Sequence, residues 1–237
     1  MRRSISIIIP AYNEEKRLPA TLQKVRGWLD GASWEFSEIV VVDDGSRDRT
    51  AELARAAGAR VLQNPGNRGK GYTVRHGMLA AKGEWVLFTD ADLSSPIEEL
   101  EKLIAAVERE QAQAAIGSRA MDRTLIGVRQ PIFREYMGRL FNLVIRAITG
   151  LPFQDTQCGF KLFQTAAAHE IFRRQRLDGF GFDVEVLFIT LRLGYRAVEV
   201  PVRWNDVAGT KVGMWRGAAA FLDPVRVRWN WMLGRYR

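Results

Sequence analysis

Five short, near-continuous apolar runs alternate with helical patterns through the first half of this chain. That alternation constrains the fold more than any other feature. The runs are Ser4–Ile9, Ile39–Val42, Arg60–Leu62, Trp85–Thr89 and Ala114–Ile116. Runs lacking polar alternation suit strands covered on both faces. Amphipathic segments near 14–29, 48–57, 70–81 and 96–110 lie between them. Asp48, two residues before Thr50, and Ser95, just before Pro96, are expected helix starts. Strand–helix alternation of this kind implies right-handed βαβ units and a mostly parallel sheet with helices on both faces. After Arg119 the pattern changes. Helices are expected near 131–149, 165–175 and 182–193, with strands at Phe160–Phe163 and Val198–Val202, and the tail 213–237 is rich in Trp and Arg.

With 47% apolar residues in 237, the chain can bury a real core. Its single cysteine, Cys158, excludes an intramolecular disulfide and suits a reducing compartment. Arg2 and Arg3 precede only a short apolar run, so no signal peptide is expected. No stretch reaches the ~18 apolar residues of a spanning helix. Residues 1–119 hold 17 Lys+Arg against 17 Asp+Glu, whereas residues 120–237 hold 18 against 10. The whole excess of +8 therefore lies in the second half, which points to an anionic partner there: nucleic acid, anionic lipid or a phosphorylated substrate.

Parallel sheets bind ligands at the C-terminal ends of their strands. Those ends read Pro10-Ala11-Tyr12-Asn13-Glu14-Glu15, Asp43-Asp44-Gly45-Ser46 and Thr89-Asp90-Ala91-Asp92. Asp90 and Asp92, at i and i+2 in an extended segment, would point to one side. Two crowded carboxylates repel unless a cation separates them, and a hard divalent ion with oxygen ligands is the natural one. Such an ion also neutralises a leaving diphosphate. The plainer reading is a loop with two solvated acids. Asp43 reads as a ligand contact or a turn former, while Asp44 with Gly45 fits the turn. Asn67-Arg68-Gly69-Lys70-Gly71 opens a helix where Lys70 can meet a phosphate, or forms an ordinary surface turn. It lacks the spacing of a Walker A loop.

In this order, these motifs resemble those of family 2 glycosyltransferases, which have the GT-A fold. Gly117-Ser118-Arg119 and Asp155-Thr156-Gln157-Cys158-Gly159-Phe160-Lys161-Leu162-Phe163 look like the polyprenyl-phosphate branch. Within it the dolichyl-phosphate β-glucosyltransferases are most similar and the mannose synthases more distant. The resemblance spans about residues 4–212. It implies an α/β GT-A catalytic domain over 1–212, with a nucleotide-sugar half (1–119) and an acceptor half (120–212). It also implies inverting transfer, with glucose from UDP-glucose as the first choice, to a polyprenyl or dolichyl phosphate. Mannosyl transfer from GDP-mannose and a sugar-hydroxyl acceptor are the alternatives. A nucleic-acid partner is not expected, because the first half has no net positive charge and no recognised motif.

The resemblance also implies residue roles. Pro10, Tyr12, Glu14 and Asp43 would hold the nucleoside. Lys70, Asp90, Ala91 and Asp92 would meet the rest of the donor, with Mn²⁺ or Mg²⁺ on Asp90 and Asp92. Arg119 would stand at the donor–acceptor junction. Arg129 and Arg134 would clamp the acceptor phosphate with it, unless they are solvated surface arginines. Lys211 would take the leaving-group role, although Asn205 stands near where the mannose synthases carry an arginine. Their third metal contact, a glutamine, is Ser94 here. Asp155 would orient the sugar, act as a base, or cap the Gln157–Gly159 turn. Cys158, His76 and His169 read as structural, and the aromatics of 180–188 as core.

In the tail, 213–237, Asp223 and Pro224 open a helix whose Leu222, Val225, Trp229, Met232 and Tyr236 form one stripe. Arg226 and Arg237 flank it on one side, and Arg228 and Arg235 on the other. The segment is too short and charged to span, so it is expected in the membrane interface plane, on the cytoplasmic face. The competing reading packs it against the catalytic domain.

Overall fold

The structure is a computed structural model that describes residues 4–128, 132–207 and 222–237. Seven strands form one sheet in the order β3-β2-β1-β4-β7-β5-β8. They are β1 (Ser4–Ala11), β2 (Phe36–Asp43), β3 (Arg60–Gln63), β4 (Trp85–Thr89), β5 (Ala114–Ser118), β7 (Phe160–Gln164) and β8 (Ala197–Pro201). Two short strands, β6 (Ile126–Val128) and β9 (Trp204–Asn205), pair apart from it. Neither was expected, being too short to show a period. The helices are α1 (Leu18–Gly31), α2 (Thr50–Ala56), α3 (Lys70–Ala80), α4 (Leu100–Glu110), α5 (Ile132–Thr149), α6 (Thr165–Arg174), α7 (Phe182–Arg192) and α8 (Asp223–Met232).

The apolar runs become strands because both faces are covered. Ile5, Ile7 and Ile9 of β1 pack with Leu18 and Leu22 of α1 and with Leu100 and Leu103 of α4. Ile8, Val40 and Val42 face the other way, toward Val74 and Met78 of α3 and Phe182 of α7. Each buried Ile or Leu contributes about 1.5–3 kcal/mol. That layering of helix, sheet and helix bears out the expected fold class.

Three expectations change in detail. Helix α1 begins at Leu18 rather than near residue 14, because Asn13 adopts a φ of 54° and the N–H groups of Arg17 and Leu18 close a turn on Glu14 O. Pro19 then occupies the first turn, where its missing N–H costs nothing. Asp48 does open α2, accepting the Thr50 N–H at 3.0 Å, but Ser95 caps nothing and lies buried beside Cys158. The strand expected at 160–163 runs antiparallel to both neighbours, β4 and β5. Phe160 therefore pairs with Thr89, and the preceding segment 155–159 arrives at the carboxyl end of β4.

Helix α8 packs on α5 and α7. Of the five residues expected in one stripe, Leu222, Val225, Trp229 and Met232 are exposed, whereas Tyr236 is buried at 2% exposure. The helix ends at Met232, and Gly234, with φ of 69°, turns the chain back so that Tyr236 leaves the helical period.

Candidate active site

Strands β1, β2 and β4 end at one edge of the sheet, and a cavity of about 640 Å³ opens there. Pro10, Ala11, Tyr12 and Glu14 line it from β1, Asp44 from β2, and Asp90, Ala91 and Asp92 from β4. Lys70 and Thr73 reach it from the first turn of α3. A volume of this size suits a small-molecule ligand.

The Asp90-Ala91-Asp92 turn is held from several sides. Thr21 of α1 donates its hydroxyl to Ala91 O at 2.7 Å, and the Leu93 N–H closes on Asp90 O at 3.0 Å. Leu93 has a φ of 50°, an uncommon conformation for a branched apolar residue. Ser94 donates both its N–H, at 3.1 Å, and its hydroxyl, at 2.9 Å, to Asp92 Oδ1. Burial and the neighbouring Asp90 charge nevertheless push the Asp92 carboxyl above its ordinary range. Lys70 meets Asp90 Oδ1 at 2.7 Å. Burial disfavours the Lys70 charge, but Asp90 and Asp183 outweigh it and raise its pKa. Gly159 lets the segment before β7 close on this turn, since a Cβ there would stand 2.0 Å from Asp90 Oδ2.

Asp43 and Asp44 divide the two readings of their motif. Asp44 organises the 67–71 loop, accepting the N–H groups of Arg68 and Gly69 at 2.9 Å each and Asn64 Nδ2 at 2.8 Å. Asp43 is buried, accepts the Ser46 N–H at 3.1 Å and Gln63 Nε2 at 3.3 Å, and does not line the cavity. Glu14 holds Arg17 through both carboxylate oxygens, at 2.7 Å each.

Arg119 and Asp155 also stand outside the cavity lining. The Arg119 N–H, Nε and Nη2 all donate to Asp155, at 3.0, 2.6 and 2.9 Å. Asp155 Oδ1 also accepts the Gln157 N–H at 3.1 Å, which caps the turn. Burial alone would raise the Asp155 carboxyl, but Arg119 outweighs it and holds it at about 2. The Arg119 guanidinium lies 5.4 Å from the centre of the Trp204 ring. Cys158 is buried, and burial pushes its thiol up to about 11. Arg134 falls in α5, while Arg129 and Lys211 lie outside the described residues.

The sequence reading missed several cavity groups. Arg17, Arg176 and Arg226 line it, as does Phe180, which the sequence pattern places in the core, and Arg68 of the 67–71 motif joins them. Beneath it, buried Lys161 donates to Asp183 Oδ1 at 2.5 Å and Cys158 O at 2.7 Å. Only Lys161 carried a signal, as a charge within an apolar run. Arg17, Arg176 and Arg226 have no local pattern that marks a ligand, because distant segments bring them together. Among the described residues no group of three or more His, Cys, Asp or Glu side chains could hold a metal ion. Asp90 and Asp92 bring two carboxylates to the cavity, within the one or two that a magnesium site commonly draws from protein.

Glycosyl transferase family 2 matches residues 6–172. The chain is 32% identical to the dolichyl-phosphate beta-glucosyltransferase of Dictyostelium discoideum, over 98% of this chain and 76% of that protein. The enzymes of that name from Drosophila melanogaster and Saccharomyces cerevisiae are 35% and 33% identical, again over 98% of this chain and over 77% and 76% of theirs. Among solved structures, glucosyl-3-phosphoglycerate synthase from Mycobacterium tuberculosis, in complex with Mn²⁺, UDP and glucosyl-3-phosphoglycerate, aligns with a TM-score of 0.68. It is 22% identical and covers 98% of this chain and 80% of its own. Mannosyl-3-phosphoglycerate synthase from Rubrobacter xylanophilus aligns at 0.71 with 19% identity, over 98% and 75%. At that identity the likeness speaks for the fold alone, and it is the GT-A fold.

Proposed function

We propose that this chain, which belongs to glycosyl transferase family 2, transfers glucose from UDP-glucose to dolichyl phosphate at a membrane surface, with inversion at the anomeric carbon. The observation that carries the reading is one cavity lined by Asp90 and Asp92 and by Lys70, Arg17, Arg68 and Arg176, with Lys70 paired to Asp90. Paired acids and clustered cations at the carboxyl ends of parallel strands suit a nucleoside diphosphate. The names of the relatives supply the sugar and the lipid class.

Pro10, Tyr12 and Glu14 would contact the nucleoside, with Asp43 supporting them from below. Asp90 and Asp92 would hold Mn²⁺ or Mg²⁺, which when bound screens the charge on a leaving diphosphate. Lys70, beside Asp90, would donate to the same phosphate oxygens from the first turn of α3. A phosphate acceptor is already anionic near neutral pH and needs positioning more than deprotonation. Asp155, ionised down to about pH 2, therefore serves as the fixed partner of Arg119 rather than as a base. Arg119 would stand at the acceptor side with Arg129 and Arg134, and Lys211 would approach the leaving group.

No helix among the described residues is long and apolar enough to cross a membrane. The exposed Tyr136, Met137, Leu140 and Leu143 of α5 and the exposed face of α8 support peripheral association through two packed helices. Of the two membrane faces, this reading takes the cytoplasmic one. On this reading residues 1–212 form the catalytic domain and 213–237 carry the membrane-facing surface, while Asp223 and Arg226 of the same segment also line the cavity.

The test is a donor panel with a short polyprenyl phosphate, scored by transfer of label into an organic phase. UDP-glucose should be the preferred donor, and calorimetry should show tighter binding of UDP than GDP. A clear preference for GDP overturns the choice of sugar donor; transfer only to water-soluble acceptors overturns the lipid. Flotation with anionic vesicles should be lost when the chain is ended near Leu222. Retained flotation with a sharply lower Tm would assign α8 to the core alone.

A further inference from the structure

Helix α8 forms part of the cavity wall as well as carrying an apolar face. Asp223 and Arg226 line the cavity beside the 176–180 segment. The start of α8 is pressed onto Gly181, where a Cβ would lie 2.3 Å from Asp223 Oδ2. Its middle buries Val227, and Trp231 meets the Phe188 ring edge-on at 5.9 Å. Beyond its end the Tyr236 hydroxyl donates to Glu185 Oε1 at 2.7 Å. The other oxygen of that fully buried carboxylate accepts the N–H groups of Arg176 and Leu177, at 3.0 and 2.8 Å. One carboxylate thus ties the end of the chain to the cavity wall. The wall rests in turn on the Lys70 loop, where the Tyr72 N–H donates to Asp178 O at 3.2 Å and Gln175 Nε2 donates to Gly71 O at 2.9 Å.

We propose that Arg226 contacts a phosphate group within this cavity, and that Tyr236 and Glu185 are positioning residues that hold it and the 176–180 wall in place. Arg226 meets Asp223 Oδ1 through one nitrogen, at 3.1 Å, and its side chain is 60% exposed. A guanidinium carries five N–H donors in a fork that matches phosphate oxygens. Arg226 is one of a ring of cations, with Arg17, Arg68, Lys70 and Arg176, around a single cavity. Arg228, two residues on, is exposed and is not among the residues lining the cavity. The sequence pattern sets Arg226 and Arg228 on opposite flanks of one apolar stripe, and only Arg226 lines the cavity. The proposal rests on the reading that this cavity takes a nucleoside diphosphate sugar opposite a lipid phosphate. Either phosphate offers the chemistry Arg226 recognises.

The experiment uses the full chain with Arg226→Gln, Arg226→Lys, Arg228→Gln and Tyr236→Phe. It reads UDP affinity by calorimetry with Mn²⁺, kcat and KM for a short polyprenyl phosphate in detergent, flotation with anionic vesicles, and Tm. Arg226→Gln should weaken either UDP binding or the acceptor KM about tenfold, as expected for one charge-assisted hydrogen bond. The constant that moves identifies the phosphate. Arg226→Lys should recover part of the loss. Tyr236→Phe should move the same constant roughly two- to threefold with kcat little changed, and Arg228→Gln should move neither. Both constants within twofold of wild type in Arg226→Gln, or equal losses of flotation in Arg226→Gln and Arg228→Gln with nothing else altered, overturn the proposal. A wild-type chain that binds no UDP overturns the underlying reading instead, and the proposal with it.

Discussion

Two acid–base pairs stand beside the same sheet, and they are built in opposite ways. Lys70 touches Asp90 through one contact in an open cavity, with the two side chains 21% and 33% exposed. Arg119 grips Asp155 through both carboxylate oxygens, with exposures of 29% and 7%, and Gln157 takes a further lone pair. Exchanging the first pair for a ligand is the cheaper change, because an incoming phosphate or cation would replace each partner. Breaking the second strands a buried carboxylate. The cavity pair is therefore suited to substrate, and the other pair to holding the loop that carries Gly159 onto Asp90. A charge pair at a strand end is not by itself a site; the number of bonds that would have to break distinguishes them.

The largest effect that tests this contrast is on stability. Asp155→Asn should cost about 3 kcal/mol, the low end for a broken buried pair because Arg119 keeps some exposure. In a chain of this size that lowers Tm by roughly 6–12 °C. The Asp155 pKa is depressed, so its contribution is fully present above the usual carboxylate value of about 4. It is lost as pH falls toward about 2. The deficit of Asp155→Asn against wild type should shrink over that window in acid-denaturation curves. A deficit that persists at pH 2 breaks the comparison.

Asp92→Ala should lower transfer at least ~100-fold, the scale of losing a principal charge stabiliser, and excess chelator should abolish it. Burial and Asp90 raise the Asp92 pKa, so its charge is less well stabilised here than that of an ordinary carboxylate. The variant's Tm should therefore hold or rise, in contrast to Asp155→Asn. A fall like that of Asp155→Asn would make Asp92 structural.

Lys70→Gln sharpens the same point. Calorimetry should show UDP bound about tenfold more weakly, the cost of one charge-assisted contact, while Tm moves by a few degrees at most. The smallest effect is expected at Cys158. Burial pushes its thiol up to about 11, so little thiolate is present near neutral pH. A thiol-blocking reagent should leave activity within twofold, and rapid loss of activity would show that the segment before β7 opens.

Much of the fold was legible along the chain because its causes are local. Apolar runs such as Ile5–Ile9 and Val40–Val42 carry their burial in their own composition, and the acids at their ends mark the site edge. Lys70, Asp90 and Asp92 could be singled out for the same reason, and all three line one cavity. The direction of β7 was not legible, since Phe160–Gln164 reads alike whichever way it pairs. Nor was the division of labour between Asp43 and Asp44, which are adjacent in sequence and alternate across the strand end. Arg17, Arg176 and Arg226 belong to segments whose own patterns say helix or loop and nothing of a shared ligand.

The sequence by itself determined the layered α/β architecture, the family and the carboxylate pair, because hydrophobic period and strand-end chemistry are properties of neighbours along the chain. Tertiary structure alone decided which charges meet. It set Gly159 against Asp90, made Asp155 the partner of Arg119, buried Tyr236 on Glu185, and turned Arg226 of the last helix into the cavity. The reason is physical: a charge's effect depends on the distance, burial and partners at its site. Those are fixed only when segments far apart in sequence pack against one another.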